Sequence, residues 1–297
     1  MSSMKTTQSK ICQCISSRAF VFRRVLHGLV VPKATLAVGF VLVAAAAPLA
    51  LANEPILKRA PLREFVERSK PQWNFARANN HDSCWPAEAI YADGKLNPGA
   101  APKIWPNSNS NCPAVGQPFP TYYSAKECIT NNEIRVSYTL YIPNSYFVGG
   151  GHRHDFEGVV VVWKKRDGEK WTRDRLLMSS HGKYVSRSWN KAESWNANWS
   201  SAGLGREFPR VFVGWGSHAM FNDQNTRFVD ILSQATGNEY RSAKYPVRDY
   251  SLVEVTENNE LGKKFFAKDT EKHFGSADTH PAKVARDICK LPEKKNR

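Results

Sequence analysis

Ile134-Arg135-Val136-Ser137-Tyr138-Thr139-Leu140-Tyr141-Ile142 is the stretch that decides the fold. Ile134, Val136, Tyr138, Leu140 and Ile142 alternate with Arg135, Ser137, Thr139 and Tyr141, the period-two pattern of a half-buried strand. Downstream, Val159–Trp163 is a continuous apolar run of buried-strand length. Val211, Val213 and Trp215 predict a further core-facing strand, and Ser251–Val255 another. Asp167-Gly168 after Lys164-Lys165 reads as a hairpin-type turn leading into Trp171. Upstream, Pro55–Lys70 places Leu62, Phe65 and Val66 on one helical face, with Glu64 and Arg68 spaced for an i,i+4 pair. Residues 71–125, rich in Pro, Asn, Ser and Gly, are expected to be long irregular structure. Helical patterns return at Glu260–Phe274 and Ala282–Lys290, and no repeat is visible. These elements predict a mainly β chain, an antiparallel β-sandwich with flanking helices, in one domain.

The chain has 297 residues, long enough to bury a normal core. With 11% aromatic and 23% charged residues it does not have a disordered composition. Its 42 Lys and Arg against 27 Asp and Glu give +15, which raises the question of nucleic acid. Six of those cations and no acid fall in residues 1–33, ahead of the apolar run Ala34–Leu51 and the small-x-small ending Ala50-Leu51-Ala52. That order describes a secretory signal peptide over residues 1–52, with an uninterrupted apolar core too short to span a bilayer. Its removal lowers the charge from +15 to +9. Lys283, Arg286, Lys290, Lys294, Lys295 and Arg297 form a basic tail, so a mixed-sign surface accounts for the charge without nucleic acid. The expected plan is therefore a leader, an N-terminal helical segment over 53–79, and a sandwich domain over 80–297 ending in that tail.

Cleavage leaves Cys84, Cys112, Cys128 and Cys289. An even count in an exported chain reads as two disulfides, with three pairings open. None lies in a Cys-x-x-Cys pair, which argues against zinc. The chemistry concentrates in Gly151-His152-Arg153-His154-Asp155-Phe156-Glu157, following Gly149-Gly150 and preceding the strongest strand. Glycines let the backbone fold tightly, so His152, Asp155 and Glu157 could converge. Spacing leaves two readings open. Mostly oxygen ligands suit a hard divalent cation, Ca or Mg; alternatively Arg153 neutralises Asp155 and Glu157 in an ion-pair cluster. Trp189, Trp195 and Trp199 lie in a polar stretch and either meet sugars or a lipid interface, or cap the core. Lys183, Arg187 and Lys191 nearby could meet anionic head groups.

The heptapeptide resembles the Gly-His-Arg-His-Asp-Trp-Glu signature of the necrosis- and ethylene-inducing-peptide-like proteins, secreted microbial cytolysins of plants. Ile134–Asn144 sits where that family carries its eleven-residue strand motif. Ser180-His181-Gly182-Lys183-Tyr184 is similar to its Ser-x-His-Gly-x-Tyr segment, Ser217-His218-Ala219 to its Asn-His-Ala, and Phe274-Gly275-Ser276-Ala277 to its Trp-Gly-x-Ala. Cys84 and Cys112 flank Ala92-Asp93-Gly94, as the family's common disulfide does. The resemblance implies an actinoporin-like β-sandwich with that disulfide, worth roughly 3 kcal/mol in the chain-entropy model. The pairing of Cys128 and Cys289 stays open.

It further implies a divalent cation held by His152, Asp155 and Glu157, with the family's remaining acidic ligand falling on Asn144. An amide oxygen there still coordinates, without charge. Gly151, Arg153, His154 and Phe156 complete the motif, Phe156 replacing Trp, and His181 and His218 line the same end. The implied activity is binding of plant glycosylinositol phosphorylceramide head groups followed by membrane permeabilisation, with no catalysis. Recognition by a plant immune receptor is a further implied interaction. The alternatives are a non-lytic carbohydrate-binding or immune-eliciting protein, and an exported metal-dependent hydrolase with His154 as general base. No Gly-x-Ser-x-Gly elbow or Cys nucleophile signature supports the enzyme.

Overall fold

The alternating stretch becomes the centre of a long strand pair. A computed structural model describes residues 56–57, 60–78, 80–102, 111–147, 150–166, 170–180, 182–224, 240, 246–275 and 277–295. The chain divides into Met1–Pro48 and Leu49–Arg297. The predicted leader lies outside the described residues, as do the Asp167-Gly168 turn and His181.

The larger sheet comprises β1 (Ile56–Leu57), β5 (Pro120–Cys128), β6 (Glu133–Phe147), β7 (Gly150–Arg166), β8 (Lys170–Ser180), β9 (Lys183–Ser188), β15 (Ser251–Glu254) and β16 (Glu293–Lys295). The second contains β2 (Gln72–Phe75), β10 (Glu193–Trp195), β11 (Ala202–Leu204), β12 (Phe208–Val213), β13 (Met220–Phe221) and β14 (Pro246–Val247). A two-stranded ribbon pairs β3 (Arg77–Ala78) with β4 (His81–Asp82). The order β15-β5-β6-β7-β8-β9-β16, with β1 on β8, is an antiparallel meander from β5 to β9. Strands arriving from elsewhere in the chain add to it in parallel: β15 on β5, and β16 on β9. In the second sheet, of order β11-β10-β12-β2-β14, β2 likewise lies parallel to β12.

Between the sheets, Tyr138, Leu140, Ile142, Val159, Val161 and Trp163 pack on Trp73, Phe75, Val211 and Val213. The outer face of the larger sheet is also covered. Among the described residues lie four short helices: α1 (Leu62–Glu67), α2 (Glu260–Phe265), α3 (Lys268–Phe274) and α4 (Pro281–Asp287). Phe265, Phe274 and Ala282 cover Tyr122, Tyr141 and Phe156, while Val284 and Ile288 cover Val160, Val162 and Leu177. Coverage on both faces is why Val159–Trp163 reads as an unbroken apolar run.

Three expectations change. The segment 53–79 is only partly helical: α1 is six residues long, and β2 and β3 follow within it. Residues 71–125 hold β2 and the start of β5; β2 hides because all four of its residues, Gln72 and Asn74 included, are buried and give no alternation. The basic tail is built into the fold. Disulfides join Cys84 to Cys112 and Cys128 to Cys289, and β16 pairs with β9. Glu293 in that strand accepts from Arg135 at 2.8 Å and Arg175 at 2.7 Å.

His280 opens α4 and sits wholly buried among Phe156, Phe265 and Phe274. Its Nδ1 accepts the Ala282 N–H at 3.3 Å, which requires the neutral ring. Burial pushes its pKa down to about 4, with Lys283 and Arg286 adding to the shift. Between about pH 6.5 and pH 4 the unfolded chain therefore binds a proton that the folded chain refuses. Stability is expected to decline through that window, by up to about 3 kcal/mol for this one group. Denaturant midpoints at pH 7 and pH 4.5 for the parent and His280→Asn measure it: the variant's loss should be smaller, and equal losses would assign the decline to other groups.

Candidate functional site

The heptapeptide begins β7 and faces the end of β6, so strand pairing positions it. Ile142 stands opposite Asp155, Asn144 opposite Arg153, and Ser145 opposite His152. Gly151 must lack a side chain, because a Cβ there would lie 2.5 Å from the Ser145 carbonyl oxygen. His154 takes a left-handed backbone, φ 59°, and breaks the strand's strict alternation. Its ring turns to the outer face. There Nδ1 meets the Tyr141 hydroxyl at 2.8 Å, and the ring packs on His273 and Phe274. Burial, followed by His273 and Arg153, holds its pKa down at about 4.

The two motif carboxylates are buried, Asp155 at 6% and Glu157 at 7% exposure. Asp155 Oδ2 stands 2.9 Å from Nδ1 of His218, a wholly buried residue with φ 57° in the turn after β12. That turn is fixed by Gly216, whose φ is 78° and whose Cβ would strike the Tyr146 carbonyl. Glu157 accepts from the Ser179 hydroxyl, which itself accepts the Gly158 N–H at 2.8 Å. Arg153 does not neutralise this pair in the manner of an ion-pair cluster. Its guanidinium points instead to the Pro98 carbonyl, at 3.3 Å. Phe156, fully buried between Tyr141, Phe265, Phe274 and His280, explains why this position accepts phenylalanine: it packs inward.

His152, Asp155 and Glu157 open onto one cavity of about 470 Å³, with Ser145, Ser217 and, from the C-terminal segment, Phe274, Ala277, Asp278 and Thr279. Asp278 is an acid the sequence reading missed, although it directly follows the Phe274-Gly275-Ser276-Ala277 match. Three carboxylates thus face the cavity, with Arg153 and His154 also in its lining and Lys283 3.8 Å from Asp278. Asn144 lies outside its lining: it is fully buried, and its Nδ2 donates to Cys112 Sγ at 3.2 Å, leaving Oδ1 without a partner. Gly182, beside His181, lines the cavity, and His218 reaches it through Asp155.

The tryptophans stand apart. Trp189 is core, 3% exposed, its indole donating to the Arg206 carbonyl at 2.7 Å. Trp195 pairs with Phe208, the first residue of β12, and Trp199 stacks on Phe208 with centroids 4.3 Å apart. His218 lies in the turn beyond Val213, the last residue of β12, so Trp195 and Trp199 occupy the opposite end of that strand from the pocket.

The donor types in this pocket are those a hard cation uses. The carboxylates of Asp155, Glu157 and Asp278, the hydroxyl of Ser217 and the ring of His152 form an oxygen-rich set suited to Ca or Mg. Among the described residues, however, no three His, Cys, Asp or Glu side chains already stand as a metal cage.

The family model for necrosis inducing protein (NPP1) matches residues 68–251. Among solved structures, the non-toxic HaNLP3 protein is similar at 17% identity over 73% of this chain and 86% of its own, with a TM-score of 0.48. Necrosis and Ethylene inducing Protein 2, from the causal agent of cocoa's witches' broom disease, is 17% identical over 74% and 87%, with TM-score 0.48. NLPPya in complex with mannosamine is 16% identical over 78% and 92%, with TM-score 0.46. A search of curated proteins finds no match.

Proposed function

The chain belongs to the necrosis-inducing protein family, and from that premise we propose that it is a secreted, cation-dependent cytolysin directed at plant plasma membranes. The ligand on the membrane is the sugar head group of glycosylinositol phosphorylceramide, met by the pocket around Asp155. The observation that carries this reading is the convergence of Asp155, Glu157 and Asp278 on one cavity, with Arg153 directed to the Pro98 carbonyl. Such a cavity attracts a divalent cation, which when bound would supply positive charge to orient sugar hydroxyls.

The chain's own part is positioning. His218 holds Asp155, Ser179 holds Glu157, and Tyr141 with Phe274 holds the His154 ring. Phe274 and Ala277 close one wall and limit the space beside the acids. The same packing argues for binding without turnover. With its pKa near 4 and Nδ1 at the Tyr141 hydroxyl, His154 is a weak general base at neutral pH. The leader sequence supports export, and the two disulfides suit an oxidising compartment.

One observation favours the non-lytic alternative. Asn144 faces Cys112, so the position where the family signature expects an acid gives the pocket neither charge nor oxygen. Dye release from vesicles decides between them. With the plant sphingolipid present, release is expected in Ca or Mg and absent in chelator; vesicles without the lipid should stay intact. Release indifferent to both sinks the cation mechanism. Lipid binding without release by folded protein selects the non-lytic reading.

A further inference from the structure

The end of the larger sheet remote from Asp155 carries a larger cavity, about 1010 Å³. It opens between the start of β6, the end of β7, the start of β8, and the Ser186–Lys191 segment. Six of its lining residues are basic, and three of these are neutralised internally. Arg173 Nη1 lies 2.7 Å from Glu207. Arg175 contacts Glu133 at 2.8 Å and Glu293 at 2.7 Å, and Arg166 contacts Asp174 at 2.7 Å. The other three, Lys164, Arg187 and Lys191, have no carboxylate partner among the described residues. Arg187, half-buried in the groove lining, is steadied through Nε by the Asn222 amide oxygen at 3.2 Å. Between these cations the walls offer the hydroxyls of Ser186 and Ser188 and the amide of Asn190.

That combination selects its ligand. Apolar lining is scarce, which disfavours a lipid tail or an apolar peptide helix. Single-stranded nucleic acid needs exposed rings for its bases, and the only lining ring among the described residues, Trp189, is 3% exposed. Hydroxyl and amide groups set among unneutralised cations match a hydroxylated chain carrying negative groups. We propose that this groove binds an acidic oligosaccharide, its anionic groups on Lys164, Arg187 and Lys191 and its hydroxyls on Ser186, Ser188 and Asn190. The site is independent of the cation pocket, which lies at the other end of β7.

Calorimetric titration of the folded protein in chelator tests this, using an oligogalacturonate, a sulfated oligosaccharide and a neutral maltooligosaccharide of equal length. At least one acidic probe is expected to bind, and the relative affinity of the two distinguishes carboxylate from sulfate recognition. The triple variant Lys164→Ala, Arg187→Ala, Lys191→Ala should bind at least about tenfold more weakly, with a shallower salt dependence. Lys183→Ala removes an exposed cation outside the groove and should bind like the parent; melting curves confirm that both variants fold. Equal binding by the triple variant, equal binding of the neutral sugar, or tighter binding of an oligodeoxythymidine would each overturn the proposal.

Discussion

Replacing Cys128 and Cys289 with serine is expected to lower stability by about 4–5 kcal/mol, since that bridge closes a loop with a sequence separation of 161. The Cys84–Cys112 bridge, with a separation of 28, should be worth about 3–4 kcal/mol in the same chain-entropy model. Denaturant midpoints without reductant compare the two. The longer bridge also bears on function, because it anchors the segment that walls the pocket. Between Phe265 and Cys289 lie Phe274, Ala277, Asp278 and Thr279, all lining the cavity. Two other ties hold the same segment. Glu293 reaches Arg135 and Arg175, and β16 pairs with β9. Burial lowers the Arg175 pKa, but Glu293 and Glu133 more than offset it, so the guanidinium stays charged. Midpoints unchanged by the double serine variant would show that these contacts anchor the segment alone.

The main sheet was legible because its strands report their surroundings. Residues 134–142 alternate as a half-buried strand should, although the structure buries both sides: Tyr138 and Leu140 between the sheets, Tyr141 under α3. The alternation there separates bulky apolar residues from Arg135, the small hydroxyls of Ser137 and Thr139, and Tyr141. Strand β2 carried no such signal. It lies between β12 and β14, and its polar residues Gln72 and Asn74 are buried because each finds a partner: Gln72 accepts from Trp195, and Asn74 donates to the Val211 carbonyl. Tertiary hydrogen bonding of that kind leaves no local pattern. In the site, the heptapeptide was legible as chemistry but its partners were not. His218 and Asp278 arrive from distant segments; His218 is named through the family's Asn-His-Ala match, while Asp278 is missed. The +15 charge is a poor guide for a different reason. Six of its cations fall in residues 1–33, and of the basic residues lining the remote groove Arg166, Arg173 and Arg175 are already neutralised. What stays open to a ligand is set by pairing, which no composition reveals.

Loss of the Asp155 carboxylate should have the largest functional consequence. Asp155→Ala removes both a candidate ligand and the partner of the buried His218 Nδ1, whose exposure to water is nil. That leaves a buried donor unsatisfied, costing about 1–3 kcal/mol, so lost activity in this variant alone would confound binding with folding. Asp155→Asn separates them. The amide keeps the shape and a hydrogen bond to His218 but abandons the negative charge, so the melting temperature should stay close to the parent. Calorimetric affinity for Ca and Mg should fall on the order of 100-fold, since even outer partners of metal ligands are worth about 10–100-fold. His218→Ala, acting only through the orientation of Asp155, should fall within that smaller range. Sphingolipid-dependent dye release is expected to follow the affinity, not the melting temperature. A stable Asp155→Asn protein that binds either ion like the parent would remove the carboxylate from the site. The pocket's acids would then serve the fold, held by His218 and Ser179, and membrane damage would need another origin.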